Sequence, residues 1–369
     1  MKKLPQSDLH LKSSVQGGGF CRGILGVLMI GQNKQLDEAG QITITRSLLL
    51  NCVRIGLSAF FFLSIGMVQA QGWPSRPITM IVPLPAGGGT DAIFRLVAQE
   101  MSITLGQQVV VSNRPGAAGR IGLSALANAP KDGYTIGAVT SGPLIAVPAS
   151  SKVVPYDPIK DFTHLALLHE IYPTLLMSPT IPVSSFKELV AYAKSNPGKL
   201  NYGSIGNGSV AHLITKQWER SIGIQMEHIP YKGEPQALQD LLTGRLQLYI
   251  SPAPYLDFVA KGRLKALVTT GPKRTVIQPD VPTIGDEGFP DGIGTVLFGL
   301  SAPADLPLDI AQKLTNAALA AIKTPAIRQQ LNENGYILRA AGAQEMLSTV
   351  QMEIARFRRI ALDNNISTD

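Results

Sequence analysis

The stretch MIVPLPAGGGTDAIFRLVAQEM, Met80–Met101, joins a strand-like segment to a helix-like segment through a loop that has almost no side chains. Three glycines, Gly87–Gly89, stand just before apolar residues that recur at helical spacing. Glycine at such a place either makes a tight turn or lets a ligand approach free N–H groups at the positive end of the helix. Thr90 or Asp91 is expected to cap the helix. The loop by itself leaves both roles of its glycines open.

Strand-like and helix-like segments alternate along most of the chain. With 369 residues, 45% hydrophobic and 16% charged, the sequence suits a globular protein of about two domains rather than a disordered one. Strands separated by helices of about 10–15 residues predict a parallel sheet covered by helices, an α/β fold. The predicted strands are 77–83, 109–112, 134–139, 225–229, 246–250 and 264–269, and the predicted helices are 92–105, 118–128, 186–196, 210–221, 235–243, 308–323 and 343–364.

Two short apolar segments interrupt this alternation, Tyr172–Pro179 and Thr295–Pro303. Each is rich in β-forming residues and ends at a proline. We predict that they are crossover strands joining two α/β lobes. The first lobe would then be discontinuous, with residues 71–175 and 296–369, and the second would hold residues 176–295. A cleft between two lobes is a common place for a ligand.

A charge-free apolar run, Ile55–Val68, follows Arg54 and leads to small residues that end at Ala70. A basic start, a short apolar run and small residues before the cut are typical of a secretory signal peptide. We therefore predict a signal peptide over residues 46–70 and a periplasmic location. The run is short for a membrane span, which takes about 20 residues. Leu48–Leu50 would lengthen it, so a retained anchoring helix stays an alternative.

The processed chain is expected to begin at Gln71. Residues 1–45 lie upstream of the signal peptide, and we expect them to be untranslated or disordered. Both cysteines, Cys21 and Cys52, precede the cut, so the processed chain has no thiol for a disulfide, for catalysis or for a metal. Removal of residues 1–70, with seven Lys and Arg and three Asp and Glu, lowers the net charge from +7 to +3, which does not suggest a nucleic-acid partner.

A second strand–loop–helix junction occurs in the sequence NYGSIGNGSVAHL, Asn201–Leu213. Gly203–Ser209 are small, and a helix is predicted to follow them. Two such loops facing a cleft can hold an anion from both sides without an arginine. The alternative is two unrelated turns. His212 lies just inside the second helix, where it either packs on the helix face or donates a hydrogen bond near the ligand.

The motifs of common cofactor and catalytic sites are absent from the sequence. Gly116–Gly122 reads G-x-x-G-x-x-G, which is not the dinucleotide fingerprint, and no G-x-x-x-x-G-K-[ST] occurs. The segment GNGSV, which ends at Val210, does not match the G-x-S-x-G elbow of serine hydrolases. No histidine pair has the spacing of a metal motif such as H-E-x-x-H. We predict no cofactor, no metal and no catalytic residue.

Eight segments occur in the order in which they mark one known family: RPITMIVPLPAGGGTDAIFR, VSNRPGAAGRIG, KDGYTI, PYDPIKDF, KLNYGSIGNGSVAHL, PYKGEPQALQDLLTGRL, GRLKAL and PDVPTIGDEGFP. Over residues 73–369 the chain resembles the tripartite tricarboxylate transporter receptors, which are Bug-type periplasmic solute-binding proteins. The resemblance implies a two-lobed type II periplasmic-binding-protein fold (a Venus flytrap). It also implies capture of a small carboxylate for delivery to a membrane permease. We expect a monomer with no nucleic-acid partner.

The resemblance also implies a set of ligand contacts. In this family one ligand carboxylate is bound mainly by backbone N–H groups and hydroxyls of the two glycine loops, partly through ordered waters. Two positions depart from the family: Leu84 replaces a usually aromatic residue, and Phe298 lies near a usual Trp, so the distal group of the ligand is not implied. By position, the implied contacts are Leu84, Pro85, Ala86, Gly87, Gly88, Gly89, Thr90, Asp91, Ser141, Ser204, Ile205, Gly206, Asn207, Gly208, Ser209 and His212.

We therefore expect an extracytoplasmic receptor for a small carboxylate, and not an enzyme. Di- and tricarboxylates, acidic amino acids and aromatic acids all present the same carboxylate, and the sequence does not choose among them. A receptor that docks on a signalling kinase instead of a permease is an alternative that the sequence does not separate from transport. A periplasmic enzyme acting on a small organic acid is a second alternative, against which the missing nucleophile–base pair and metal spacings count.

Overall fold

Strands and helices alternate in the part of the chain that the computed structural model describes, residues 72–253 and 255–367. The predicted upstream segment, the signal peptide and the processed start at Gln71 lie outside these residues. In chain order the strands are β1 (Ile78–Val82), β2 (Val109–Asn113), β3 (Thr135–Thr140), β4 (Phe162–Ile171), β5 (Thr174–Met177), β6 (Asn201–Ser204), β7 (Glu227–Pro230), β8 (Leu248–Ser251), β9 (Lys265–Thr269), β10 (Val296–Pro303) and β11 (Ile337–Gly342).

The longer helices cover the sheets with their apolar faces. In chain order the helices are α1 (Gly89–Leu105), α2 (Arg120–Ala127), α3 (Val147–Ser150), α4 (Phe186–Ser195), α5 (Val210–Ile222), α6 (Glu234–Thr243), α7 (Leu256–Ala260), α8 (Leu308–Ile322), α9 (Pro325–Glu333) and α10 (Ala343–Asp363). A π-helical turn, Gly142–Ala146, precedes α3. Among the described residues, no helix combines the length and the apolar character needed to cross a membrane.

The first sheet has six strands in the order β11-β4-β10-β3-β1-β2. Strand β1 is parallel to both β2 and β3. Strand β10 is antiparallel to both β3 and β4, and β11 is antiparallel to β4. The carboxyl ends of β1, β2, β3 and β4 therefore lie along one edge of the sheet.

The second sheet has five strands in the order β7-β6-β8-β5-β9. Strand β6 is parallel to β7 and β8, whereas β5 is antiparallel to β8 and β9. The carboxyl ends of β6, β7 and β8 therefore share one edge of this sheet.

The chain passes from the first sheet to the second through Tyr172 and Pro173 only, and it returns between Thr269 and Val296. The two predicted crossover segments thus contain β5 and β10, which are confirmed as strands. Because β4 leaves the first sheet at its carboxyl edge and enters the second after two residues, the carboxyl edges of the two sheets lie next to each other. The predicted lobe boundaries at 175 and 295 stay a prediction.

The strands that cross between the lobes are the exceptions to the predicted parallel arrangement. A strand that enters a sheet from the carboxyl edge must run opposite to its neighbours, which is why β5 and β10 are antiparallel. The sequence predictions miss two strands, β4 and β11, and three helices, α3, α7 and α9. Strand β4 is buried on both faces apart from Thr163, so it lacks the alternation by which a half-buried strand is recognised.

Helix α1 is held on the first sheet by its apolar face. Ile93, Phe94, Val97 and Met101 are each at most 2% exposed and pack in the same core cluster as residues of β1 and α8. Full burial of each such side chain contributes about 1.5–3 kcal/mol. This packing fixes the direction in which α1 points, and with it the position of the glycines at its first turn.

The loop before α1 is anchored by one buried carboxylate. Asp91 is 3% exposed, and its oxygens accept hydrogen bonds from Gly87 N (3.0 Å), Arg95 Nε (2.8 Å) and Asn113 Nδ2 (2.8 Å). Asn113, the last residue of β2, also donates to the carbonyl of Leu84 at 3.1 Å. Burial opposes ionisation, but the hydrogen bonds together outweigh it and hold the pKa of Asp91 below its ordinary value. The loop is therefore tied at both ends to rigid elements.

The expected cap of α1 by Thr90 or Asp91 is wrong. The N-cap residue is Gly88, and no side chain caps it. Asp91 lies in the first turn of α1, so its side chain reaches back to the N–H of Gly87, which precedes the cap. The first N–H groups of a helix have no intrahelical acceptor. At the start of α1 no capping side chain provides an acceptor for them.

The buried carboxylate of Asp91 makes a testable contribution to stability. We expect Asp91→Asn to lower the free energy of unfolding by about 1–3 kcal/mol at neutral pH, because an amide N–H₂ would face donors where the carboxylate now accepts. The pKa of Asp91 is lowered on folding, so its stabilisation is present above the ordinary value of 3.8 and is lost as pH falls through the folded value. Denaturant unfolding of both proteins from neutral to acidic pH measures this difference.

The control for this prediction is Asp132→Asn, which removes the exposed ion pair with Arg76 and should cost between 0 and about 1 kcal/mol. An Asp91→Asn protein as stable as the wild type at neutral pH, or a difference that does not shrink in acid, would contradict the anchoring role of Asp91.

Candidate ligand-binding site

Two glycine loops follow parallel strands and lead into helices. The first glycine loop, residues 84–91, connects β1 to α1, and the second glycine loop, residues 204–209, connects β6 to α5. Each lies at the carboxyl edge of its sheet, and the short connection between β4 and β5 brings these edges together. In open α/β sheets, ligands bind outside the carboxyl ends of strands. The fold thus places both predicted loops where a ligand can reach them.

The first glycine loop exposes its backbone at Gly88. Pro85 to Gly89 are exposed, and a Cβ added at Gly88 would meet nothing within 4 Å. Gly87 has φ +85°, which favours glycine, but Gly88 has φ −80° and ψ 165°, which any residue adopts. A turn therefore explains the glycine at position 87 but not the one at position 88. What Gly88 provides is open space in front of uncapped N–H groups.

Tyr336 supports the start of α1 from the segment that precedes β11. A Cβ added at Gly89 would lie 3.1 Å from the Tyr336 hydroxyl, and Thr90 forms a side-chain hydrogen bond with Tyr336. Burial raises the pKa of Tyr336, the hydrogen bond of Thr90 lowers it, and the charge of Glu234 raises it further. Tyr336 and Glu234 belong to different lobes. Tyr336 precedes β11 of the first sheet, whereas Glu234 is the first residue of α6, which follows β7 of the second sheet.

The two positions that depart from the family lie at different depths. Leu84 is half-buried and packs against the core of the first sheet. Phe298 is 4% exposed and stacks on the ring of His169, with centroids 4.6 Å apart and planes at 10°. Phe298 therefore belongs to the core behind the loop, whereas Leu84 borders the exposed loop residues.

The hydroxyl of Ser204 is used inside the second glycine loop. Ser204 is fully buried, and its Oγ donates to the carbonyl of Gly206 at 2.9 Å. The same Oγ accepts from Gly206 N at 3.2 Å and lies 2.7 Å from Nε2 of His228. With the hydroxyl proton directed to Gly206, His228 carries its proton on Nε2 and donates it to Ser204. The hydroxyl therefore shapes the loop.

Two stacked histidines lie behind the second glycine loop. The rings of His212 and His228 are parallel within 7°, with centroids 4.0 Å apart. Burial is the main cause that lowers the pKa of His212 to about 3 and that of His228 to about 4, with the charge of Lys216 a lesser one for both. Both rings are neutral at neutral pH, so Nδ1 of His212 accepts the N–H of Gly208 at 3.1 Å. Each histidine thus holds one part of the loop.

Ser209 caps the second helix. Its Oγ accepts the N–H of His212 at 3.4 Å. The tip of the second glycine loop is open to solvent, unlike its ends. Ile205 is 51% exposed, Asn207 is exposed, and a Cβ added at Gly206 would meet nothing within 4 Å. The open backbone of this loop is therefore at its tip and not at its ends.

Ser141 lies at the same sheet edge as the first glycine loop, directly after β3. It is 1% exposed, and its Oγ accepts the N–H of Leu297 at 2.9 Å. This bond ties the end of β3 to the start of β10. The hydroxyl of Ser141, an implied ligand contact, therefore has a partner within the protein.

Sequence reasoning missed several residues that build these loops. Arg95 has a recognisable signal, because it lies four residues after Asp91 on one helix face. Asn113, His228 and Tyr336 have none, since each meets its loop only through the fold. In the described residues there is no group of three or more His, Cys, Asp or Glu side chains that could hold a metal ion.

Comparison with known proteins connects this arrangement to a family. The family model described as "Tripartite tricarboxylate transporter family receptor" matches residues 93–366. A "UPF0065 protein in gbd 5'region" of Cupriavidus necator is 35% identical over 298 residues, covering 80% of this chain and 90% of that protein. "Protein BugT" of Bordetella pertussis is 32% identical over 292 residues, covering 79% of this chain and 90% of that protein.

Solved structures share the fold. One described as a periplasmic transporter is 36% identical with a TM-score of 0.74, covering 80% of this chain and all of that one. A Rhodopseudomonas palustris protein with adipate is 32% identical with a TM-score of 0.73, covering 80% and 99% of the two chains. MatC from Rhodopseudomonas palustris with bound malate is 31% identical with a TM-score of 0.69, covering 78% and 99%.

The glycine loops of this chain thus stand on the two-lobed α/β fold of periplasmic binding proteins, as the resemblance implies. The family is one of solute-binding receptors and not of enzymes. By the family match and the relatives together, this chain belongs to the tripartite tricarboxylate transporter family of receptors.

Proposed function

We propose that this protein is an extracytoplasmic receptor that holds one carboxylate of a small organic acid between its two glycine loops. The observation that carries the proposal is the uncapped start of α1 beside Gly88. The backbone angles at position 88 are open to any residue, so they do not explain why it is a glycine. Helix starts with free N–H groups are natural anion sites. Adipate and malate in the related structures support a carboxylate as the ligand.

The binding groups in this proposal are mainly backbone. Gly88, Gly89 and Thr90 contribute N–H groups on one side, and the exposed tip of the second glycine loop contributes them on the other. Asp91, Ser204 and His212 act mostly by holding the loops, because their side chains are engaged there. The remaining contacts implied by the resemblance, with Ser141 and Ser209 among them, complete the site.

The strength of such a site is sufficient without an arginine. Hydrogen bonds to a charged group contribute about 1.5–3 kcal/mol each, and a micromolar complex needs about 8 kcal/mol. Backbone donors fixed by the fold lose little conformational entropy on binding. A few of them, with apolar contacts from Leu84 and the exposed Ile205, account for such an affinity.

We further propose that the lobes, residues 71–175 with 296–369 and residues 176–295, enclose the acid as a monomer and present it to a membrane permease. The support is membership of a transporter receptor family. Docking on a signalling kinase would use the same liganded form, and the identity of the partner protein separates the two.

Export is a separate proposal that rests on the sequence of the signal peptide. We expect the exported protein to begin at Gln71, after removal of residues 46–70. Intact mass and N-terminal sequencing of protein recovered from the periplasm measure this. Recovery of a chain that retains residues 1–45 would contradict both the signal peptide and the late start.

A thermal-shift screen tests the ligand class. We expect at least one acid from a panel of di- and tricarboxylates, hydroxy acids, acidic amino acids and aromatic acids to raise the melting temperature, because a ligand that binds only the native state stabilises it. The matched amides of the same acids should have no effect. Shifts with amides or neutral sugars, and none with any acid, would contradict a carboxylate site.

Gly88→Val tests the place where the carboxylate binds. The new side chain meets no protein atom and suits the extended backbone, so the fold should be unchanged while the approach to the N–H groups is blocked. We expect at least a tenfold loss of affinity for the acid found in the screen, which is about 1.4 kcal/mol. Ser209→Ala should weaken binding less, because it removes one capping hydroxyl and leaves the site open. Calorimetry measures both.

The matched control is Gly342→Val. Gly342 is also an N-cap glycine with φ −80° and open space at its Cβ, but it ends β11, which runs away from the carboxyl edge of β4. We expect this variant to bind as the wild type does. If a folded Gly88→Val protein also binds as tightly as the wild type, the first glycine loop is only a turn.

A further inference from the structure

The second lobe carries an acidic side chain at the same sheet edge as the second glycine loop. Glu234 is the first residue of α6 and follows β7, while Ser251 is the last residue of β8. Both strands are parallel to β6, whose carboxyl end begins the second glycine loop. Glu234 therefore lies among the loops that border the proposed site, although it is not among the residues that the resemblance implies.

Two hydroxyl groups hold the carboxylate of Glu234 in place. Ser251 Oγ donates to its Oε1 at 2.5 Å, and the hydroxyl of Tyr255 forms a second hydrogen bond. Tyr255 has φ +46° and ψ +48°, a conformation that residues other than glycine rarely adopt. Strain of this kind persists where the surroundings hold a residue, often at functional sites. The carboxylate is thus fixed in position by its neighbours.

The charge of Glu234 influences a residue of the first lobe. Its charge acts on Tyr336, whose hydroxyl adjoins Gly89 and bonds to Thr90 at the start of α1. The charge also acts on Tyr249 and Tyr255, where it adds to burial in raising the pKa of each phenol. Glu234 therefore lies at the carboxyl edge of the second sheet, which adjoins the carboxyl edge of the first sheet where the uncapped N–H groups of α1 lie.

No positive side chain compensates Glu234 within the described residues. Its hydrogen-bond partners are hydroxyls, and none of the ion pairs found there includes it. Burial raises the pKa of Glu234, with the two hydroxyl bonds opposing this effect. Hydroxyl donors offset the cost of burying a carboxylate only in part, and a further donor from a ligand would reduce that cost. A second carboxylate beside Glu234 would repel it.

From this placement we infer that the ligand carries a hydrogen-bond donor, an ammonium or a hydroxyl group, which binds Glu234 while its carboxylate binds the first glycine loop. This inference rests on the proposed function and names the chemical class of the ligand. Backbone N–H groups of the first glycine loop donate to the carboxylate at one end of the ligand. The carboxylate of Glu234 accepts from the ammonium or hydroxyl group at the other end. The ligand is then an amino acid or a hydroxy acid rather than a simple dicarboxylate.

Three acids that share one carboxylate and three methylene groups test the inference: 4-aminobutyrate, 4-hydroxybutyrate and glutarate. Calorimetry with the processed protein, repeated with shorter and longer members of each series, compares their affinities. We expect the best amino or hydroxy acid to bind at least tenfold more tightly than the dicarboxylate of equal length. Tighter binding of the dicarboxylate at every length would overturn the inference.

The variant Glu234→Gln tests whether Glu234 causes the preference for an amino or hydroxy acid over the dicarboxylate. The amide keeps the size of the side chain and loses its charge, so we expect the preference for the amino acid over the dicarboxylate to fall at least tenfold. Glu227→Gln is the matched control, because Glu227 is the exposed first residue of β7, at the opposite edge of the sheet. That variant should keep the wild-type preference.

The outcomes separate this inference from the proposed function. A folded Glu234→Gln protein that keeps the wild-type preference would overturn the role of Glu234. If Glu234→Gln does not fold, the ranking of the three acids by the wild-type protein decides. If no carboxylate binds the wild-type protein in any series, the proposed function fails and the inference fails with it.

Discussion

The uncapped start of helix α1 is the constraint on which the rest of the site depends. Its first N–H groups have neither an intrahelical acceptor nor a side-chain cap, and Gly88 leaves the space in front of them open. Such groups are satisfied by water or by an anion. The fold keeps them accessible because α1 is packed on the first sheet by its apolar face, with its first turn at the carboxyl edge.

The two glycine loops are held in place by different side-chain chemistry, and both keep their backbone open to a ligand. The first is anchored by a charged network, in which Asp91 accepts from Gly87, Arg95 and Asn113. The second is shaped by neutral groups, with Ser204 and Ser209 hydroxyls and the stacked pair of His212 and His228. In both, the polar side chains serve the loop, and the backbone is left for a ligand. A short crossing between the sheets then brings both loops to one place.

Sequence patterns sufficed for the elements whose signals are local. The helix that follows the first glycine loop, the second glycine loop and both crossover strands are predicted from spacing, glycine and proline. Strand β4 does not, because burial on both faces removes its alternation. The sequence also does not predict that α1 lacks a side-chain cap. Asp91 is a residue type that caps helices, but its carboxylate accepts hydrogen bonds from Arg95 and Asn113 instead.

The site residues divide in the same way. Loop glycines are visible in the sequence, whereas Tyr336 reaches Gly89 of the first glycine loop only after distant strands are assembled. Gly88 shows the limit most clearly, since only its backbone angles separate an open approach from a turn.

The crystal structure of the protein with the acid that binds it most tightly tests the central claim most directly. The account predicts a ligand carboxylate oxygen about 2.7–2.9 Å from a backbone nitrogen of Gly88, Gly89 or Thr90, or joined to it by one ordered water, with the tip of the second glycine loop on the other side. A carboxylate paired instead with a lysine or arginine side chain, with Gly88 facing solvent, would contradict it.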